Sequence, residues 1–407
     1  MLLSLIPMFD ENMVVKAYSV FTQKENIFLN PSGMVTGVYD GATYVQGLEV
    51  ISIMGMDTIS DDKEVFLPIT NVSIFADIEN ECTQYRDRVV LLIDHTVPPV
   101  DMYINRLKEL KNAGFKLALR KVHVANFQAY APILSIADYV MLNNKKIAID
   151  KAKIFFSNLY PNIKLIAGNI ESQEVFDSLK ETGGYSLYEG EFYRIPVTKG
   201  EHEVAPNKIT QLELLKIVND PDFELNAAAD IIGRDTALTI SLLQMVNRVV
   251  KTAEITTIRH AAAMLGQKEL KKWINTAAVN QLYSDKPNEL TRISLLRANF
   301  AENLAAEFGL KMQSEELFLM GLFSVLDVIL EKPMEEALEK ISVSKDIKAA
   351  LVSGTGKFAP VYEFILAYES ANWSEVSRIL LLNNIDANIV YSKYTDALRF
   401  YREAIRG

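Results

Sequence analysis

The sequence predicts two domains of different class, an α/β domain followed by an all-α one. Three observations lead to this. The 407 residues are more than one core usually organises. The first half alternates short β-rich runs with helix-length spacers, the spacing of βα units that build a parallel sheet or barrel. After Pro196 the texture changes to sustained helical periodicity, and β-rich runs nearly vanish.

In order along the first half, the strands are "VVLLID" (Val89 to Asp94), "FKLALR" (Phe115 to Arg120), "DYVML" (Asp138 to Leu142) and "IKLIAG" (Ile163 to Gly168). Between the first two, "DMYINRLKELKNAGF" reads as a helix closed by a turn at Asn112-Ala113-Gly114. Arg120 and Lys121 then stand where the second strand should end. In parallel α/β folds that is where ligands and catalytic groups gather. "PVTKGEHEVAPNK", Pro196 to Lys208, is polar, carries Pro and Gly, has no sustained period and reads as a linker.

From Ile209 the signals are helical. "ALTISLLQMVNRVV" places Leu238, Leu242, Met245 and Val249 on one stripe. Ser314 followed by Glu315 and Glu316 reads as an N-cap with an acidic first turn, opening "LFLMGLFSVLDVIL" before Pro333. "KDIKAALVSG" should end at Gly354 as its C-cap. The expected boundaries are therefore 1–196 for the α/β domain, 197–208 for the linker and 209–407 for the helical domain.

Composition narrows the function. Hydrophobic residues make up 49% and charged residues 23%, with a net charge of −10, so there is no general basic footprint and nucleic acid is not an expected partner. The single cysteine, Cys82, excludes an internal disulfide and a cysteine-rich zinc site and suits a reducing cytosol. No apolar run approaches the roughly 18 residues of a membrane span. "MLLSLIPMF" lacks a basic leader and is followed at once by Asp10 and Glu11, which argues against a secretion signal. A cytoplasmic protein without membrane insertion is expected.

Three local features invite chemistry and do not hold it. "SGTGKF", Ser353 to Phe358, would need a glycine five residues before its Gly-Lys pair and Ser or Thr after it to bind nucleotide phosphate; Leu351 and Phe358 stand there, so it reads as a helix-terminating turn. His95, His123, His202 and His260 show no metal-ligand spacing. The methionines of "LLQM" and "LFLM" read as core filling.

The order of the elements resembles a known family. "IPMFDENMVVKAYSVFTQ", Ile6 to Gln23, resembles the first hairpin of EAL domains, Q-P-I-F-D, a few residues, then Y-E-L-L-x-R. "LKELKNAGFKLAL" resembles the segment leading into that family's Asp-Asp-Phe signature, and "ADYVMLNN" resembles A-D-x-V-K-L-D. "LIAGNIESQEVFDSLKETGGYSLYEGEFY" resembles the final L-x-A-E-x-V-E-T, helix, Q-G-Y-x-F segment. In the second half, "LLKIVNDPDFELNAAADIIGRDTALTISLLQMVN" resembles the start of HDOD domains, N-D-P, a helix, then D-P-A-L-S-x-K-L-L-x-x-V-N. "AAAMLGQKELKKWI" resembles their A-I-x-x-L-G-x-x-x-L-x-x-W run. The resemblance to EAL–HDOD bacterial signalling proteins covers nearly the whole chain. It implies a modified TIM-like barrel followed by an all-helical domain related to HD hydrolases. Active EAL domains hydrolyse cyclic di-GMP with Mg²⁺ or Mn²⁺.

Carried over residue by residue, the family's catalytic set is largely replaced. The metal-binding Glu of the E-A-L signature falls on Ser19 and its Arg on Gln23. The metal-binding Asn falls about at Pro68, the Glu of the "VVLLID" strand on Leu92, and the two aspartates of Asp-Asp-Phe on Arg120 and Lys121. The catalytic Lys and the following Asp fall on Met141 and Asn143, the Glu of A-E-x-V-E-T on Gly168, and the late Gln on Glu189, with Gly190 retained. Glu171 keeps its acidic identity. In the second half, the G-L-L-H-D of HD enzymes is "GLFSV", with Ser324 and Val325 in place of His and Asp.

Two-metal phosphodiester hydrolysis needs hard oxygen ligands, mostly carboxylates. A unit cation about 5 Å from a divalent ion costs on the order of several kcal/mol at an effective dielectric near 20. The expectation is a non-catalytic signalling adaptor without cofactor, whose HDOD half binds a partner protein. Family membership points to a kinase, a response regulator or another cyclic di-GMP pathway component. A metal-free cyclic di-GMP receptor, with Arg120 and Lys121 on phosphate, is the first alternative; against it stands the plainer reading of the two cations, that each pairs with a nearby acid such as Asp94 or Glu171 or lies in solvent. An active phosphodiesterase, with Glu49 of "LEVIS" as an unaligned ligand, is the second.

Overall fold

The computed structural model describes residues 1–23, 28, 45–143, 149–195, 206–224, 229–230, 232–233, 236–249 and 255–406. The chain divides into two compact units, one of Met1–Ile195 with Leu366–Thr395, the other of Pro196–Ile365 with Asp396–Gly407. His202 and most of the Pro196 to Lys208 stretch lie outside the described residues. The end of that stretch is helix rather than linker. Pro206 opens the helix Pro206–Val218, and Lys208, 7% exposed, donates to the Ile329 carbonyl at 3.1 Å and pairs with Asp285 at 2.9 Å. Among the described residues no helix is long and apolar enough to cross a membrane.

The first unit is a closed eight-stranded barrel in sequence order: β1 (Leu2–Phe9), β2 (Val15–Gln23), β3 (Glu64–Ile69), β4 (Val89–Ile93), β5 (Lys116–Leu119), β6 (Tyr139–Asn143), β7 (Lys164–Ile170) and β8 (Leu187–Gly190). β1 runs antiparallel to both β2 and β8, and the other neighbours are parallel. The four expected strands are present as β4 to β7, and the hairpin implied by the resemblance is β1–β2. β4 shows why it reads so clearly: Val89 to Ile93 are all fully buried, as in a strand covered on both faces, so the run is apolar without alternation. The expected helix before β5 is Asp101–Asn112, and the chain turns into the strand through Gly114.

The barrel is packed, not hollow. Met8, Ala17, Phe66, Val90, Leu92, Ala118, Tyr139, Ile166 and Leu187, from all eight strands, fill its interior, with Met141 against them. Because successive strand residues alternate in direction, in β2 to β8 the position two residues past a core residue also faces inward, one layer nearer the C-terminal ends of these parallel strands. Ser19, Pro68, Asp94, Arg120, Gly168 and Glu189 stand at such positions.

Leu366–Thr395 belongs with the barrel, whereas the sequence reading assigned everything after Ile209 to the helical domain. The segment takes in the last turn of helix Ala359–Glu369, all of Trp373–Leu382 and the first half of Ala387–Arg406. Its helical periodicity gives no hint of what it packs on, which is why the boundary was not legible.

The second unit is helical throughout its described residues. Asn288–Leu304 is buried nearly all round, and Ser314–Phe323 crosses it closely: a Cβ on Gly321 would lie 2.4 Å from the Arg297 carbonyl. In the helix Thr236–Val249, Leu238, Leu242 and Val246 are buried and Met245 is only half-buried, so the buried stripe steps by four to Val246 rather than by three to Met245; the Val249 side chain lies outside the described ones. Ser314 is the first helical residue rather than the cap, because the 3-10 turn Lys311–Gln313 runs straight into the helix. "LFLMGLFSVLDVIL" is two helices, Ser314–Phe323 and Leu326–Leu330, parted at Ser324 and Val325. Lys345–Ser353 does end on Gly354, at φ +62, and the Ser344 hydroxyl caps its start by accepting from the Ile347 N–H.

Candidate functional site

A cavity of about 480 Å³ opens at the C-terminal ends of the parallel strands. Ser19 and Phe21 of β2, Arg120 to His123 after β5, Met141 and Asn143 of β6, Gly168 and Asn169 of β7 and Glu189 of β8 line it. Its size is that of a small-molecule site. The register explains the gathering, since Ser19, Arg120, Met141, Gly168 and Glu189 are each one inward step beyond the interior core.

Arg120 dominates the wall. Its N–H extends the β4–β5 ladder by one bond to the Ile93 carbonyl at 2.8 Å, which fixes the start of the side chain. The guanidinium lies 5.2 Å from the Phe21 ring centroid and pairs with Asp94 at 3.8 Å, with the two side chains only 11% and 15% exposed. Burial pulls the Arg120 pKa below its ordinary value, against the opposing pull of Asp94 and Glu189. Its Nε is buried without a hydrogen-bond partner, and so is Asn169 Nδ2. Asp94 is held from its other side, accepting from the Thr96 N–H at 3.0 Å and hydroxyl at 2.8 Å.

Glu189 is the acid of the cavity wall. Burial raises its pKa, while the Asn169 N–H, which donates to it at 3.3 Å, and the Arg120 charge work the other way. Lys121 is exposed, with φ +57; Asn169 sits at φ +64 and Gly190 at φ +155. Sparsely populated backbone states therefore fall at the ends of three strands around one cavity, the kind of place where such strain concentrates.

The residues singled out from the sequence separate into three groups. Ser19, Arg120, Lys121, Met141, Asn143, Gly168 and Glu189 come together at the cavity. Pro68 and Leu92 do not line it: Leu92 is in the barrel core, and the acid beside Arg120 is Asp94, two residues on. Glu171 and Glu49 also lie outside the cavity lining. Ser324 and Val325 belong to the helical unit, where the Ser324 hydroxyl accepts from Arg297 at 3.0 Å and donates to the Gly321 carbonyl at 2.7 Å, and Val325 is buried. His95 and His123, which have no ligand spacing in sequence, both line the cavity, because each follows the end of a strand. The strand-end rule that singled out Arg120 would have found them. Among the described residues no group of three or more His, Cys, Asp or Glu side chains is placed to hold a metal ion.

Comparison with known proteins adds two kinds of likeness. The HDOD domain model matches residues 206–352. The cyclic di-GMP phosphodiesterase CdgJ of Vibrio cholerae serotype O1 is 26% identical over 327 residues, 79% of this chain and 75% of that protein. The uncharacterized protein YuxH of Bacillus subtilis strain 168 is 24% identical over 406 residues, 97% of this chain and 96% of that one. Among solved structures, the EAL-like domain protein YdiV is matched with a TM-score of 0.37 and 15% identity over 46% of this chain and 88% of that chain. The PaMucR phosphodiesterase in complex with c-di-GMP is matched with a TM-score of 0.37 and 14% identity, over 46% and 93%.

Proposed function

With residues 206–352 an HDOD domain behind an eight-stranded barrel resembling EAL domains, we propose that this chain is a signalling protein of the cyclic di-GMP pathway that does not hydrolyse the dinucleotide. Its helical domain recruits a partner protein, and the barrel serves as scaffold or second docking face. The observation that carries this reading is the Arg120 guanidinium, buried at the barrel mouth beside Asp94.

The residues around the cavity do not fit a pair of Mg²⁺ or Mn²⁺ ions. Such ions take several hard oxygen ligands. Here a hydroxyl, a thioether and a bare glycine stand at Ser19, Met141 and Gly168; the wall's carboxyl, Glu189, is held toward its neutral form by burial; and Asp94 is already paired to a cation. The partner class, a kinase or response regulator, follows by analogy with the family. The deciding experiment incubates purified protein with cyclic di-GMP and Mg²⁺ or Mn²⁺ and looks for linear product by chromatography. Since a relative carries the name of a phosphodiesterase, this is the direct test: metal-dependent product overturns the reading, and its absence beside an active control supports it.

A second reading is favoured by the cavity itself. Arg120, Lys121, His95 and His123 surround a space of small-molecule size, so the barrel can act as a receptor for cyclic di-GMP without metal. Binding in the presence of EDTA that weakens with salt and is lost in an Arg120→Glu/Lys121→Glu variant supports it. Binding that survives those changes assigns the ligand elsewhere.

A further inference from the structure

The mouth end of the β1–β2 hairpin is held by a distant part of its own unit. β2 points toward the mouth, where Ser19 and Phe21 line the cavity, and β1 runs the other way, so that Leu2, Leu3 and Ser4 stand opposite Gln23, Thr22 and Phe21. β1 meets β8 only through Met8 and Phe9, at its far end. Among the described residues no strand lies beside that side of β1 from Leu2 to Pro7, an edge whose backbone groups need partners.

Leu366–Thr395 supplies a partner to one of these backbone groups and to two side chains of the hairpin. The Leu3 N–H donates to the Tyr368 hydroxyl at 3.0 Å, in a buried bond, and the Ser4 hydroxyl donates to the Glu369 carbonyl at 2.8 Å. Gln23 Nε2 donates to the Ser377 hydroxyl at 2.9 Å, also buried. The Glu369 carboxylate pairs with Arg194, just past β8, at 3.0 Å, the two side chains 14% and 13% exposed, so one residue spans the gap between β1 and the end of β8. Tyr368 is fully buried and packs on the Trp373 and Tyr394 rings at 5.7 and 4.9 Å, which gives the segment an apolar anchor of its own.

The held strands also carry the cavity wall. Ser4 and Phe21 are direct cross-strand partners, so their side chains share a face of the hairpin, and the Phe21 ring is the platform under the Arg120 guanidinium. We propose that Leu366–Thr395 is a latch on the barrel mouth, so that its docking on the β1–β2 hairpin and occupancy of the cavity behind Phe21 and Arg120 are linked. The ligand half of this inference rests on the receptor reading above; the latch itself does not. Linkage is reciprocal, so what tightens one site must tighten the other.

Hydrogen exchange on the full chain tests both halves. Without ligand, a Tyr368→Phe/Ser377→Ala variant removes two buried acceptors and should speed exchange about ten-fold in Leu2–Gln23 and in Arg120–Asn126, while Val89–Ile93 keeps its rate. Acceleration confined to residues 366–395, or spread evenly over the barrel, overturns the latch. With cyclic di-GMP and EDTA as probe, wild-type residues 366–395 should exchange more slowly although the ligand does not touch them. Protection limited to the cavity lining overturns the linkage. If the probe protects nothing at any concentration, the receptor reading fails and the ligand-free comparison still decides the latch.

Discussion

Arg120 and Asp94 face each other at 3.8 Å from neighbouring strands, each side chain at least 85% buried. Removing one partner of such a pair strands the other charge, which costs more than the pair itself is worth. Asp94→Ala is expected to destabilise the barrel by about 3 kcal/mol. Adding Arg120→Met should recover part of that loss, because no charge is then left buried. Urea unfolding of the two single variants and the double variant reads the coupling, and strictly additive losses would count against the pairing.

This pair also marks where the sequence was legible and where it stopped. The barrel could be read because β4 and β5 are short apolar runs at helix-length spacing, and the strand-end rule led straight to Arg120. Its partner was legible as one of two, since Asp94 and Glu171 are both acids close to strand ends; the structure pairs Arg120 with Asp94, whereas the carry-over from the family pointed to Leu92, which packs in the core two residues earlier on the same face. β3 was missed because Glu64–Ile69 carries a charge at one end and a proline near the other, both poor strand signals. The docking of Leu366–Thr395 was out of reach, since hydrogen bonds such as Leu3 to Tyr368 join residues 365 apart and leave no local pattern.

Gly168 and Glu189 divide one space between them. A Cβ on Gly168 would sit 3.3 Å from Glu189 Oε2 and 3.1 Å from Met141 Cγ, tighter than ordinary contact. Gly168→Glu, which would introduce the acid that the resemblance to EAL domains aligns with this position, therefore meets a filled site and brings a second carboxylate beside a buried one. We expect it to cost about 1–3 kcal/mol through overpacking and to leave the protein without metal-dependent turnover. Combining it with Glu189→Gln removes the like charge, and should unfold at higher urea than Gly168→Glu alone; the same midpoint for both would mean that the two side chains do not compete.

Gly190 is constrained by the neighbouring strand. Its φ is +155, and an added Cβ would lie 2.1 Å from the Ile170 carbonyl oxygen and 2.5 Å from the Ile170 nitrogen, both backbone atoms that cannot swing aside. Gly190→Ala should cost about 4 kcal/mol or more by parting β7 from β8 beside the cavity. Circular dichroism and proteolysis of the purified variant check this, and a barrel as resistant as wild type would be the contrary result.

The helical domain should carry its own pH signature through Asp327. Burial raises this carboxyl from an ordinary 3.8 to about 6, although the backbone N–H groups of Val328 and Asp327 and the nearby Arg297 charge pull it down. Its Oδ1 is buried without a hydrogen-bond partner, which fits the neutral form being preferred. Below the unfolded pKa the group is neutral in both states and contributes no penalty. As pH climbs from about 4 to about 6 the unfolded chain releases the proton and the folded chain holds it, so stability falls, by about 3 kcal/mol at 1.36 kcal/mol per unit. Above the folded pKa the deficit is constant. Asp327→Asn should therefore be more stable than wild type at pH 7 and lose that advantage as pH falls to 4. Urea midpoints of the two proteins measured across this range give the difference directly, and parallel curves would show that Asp327 is already ionised in the fold at little cost.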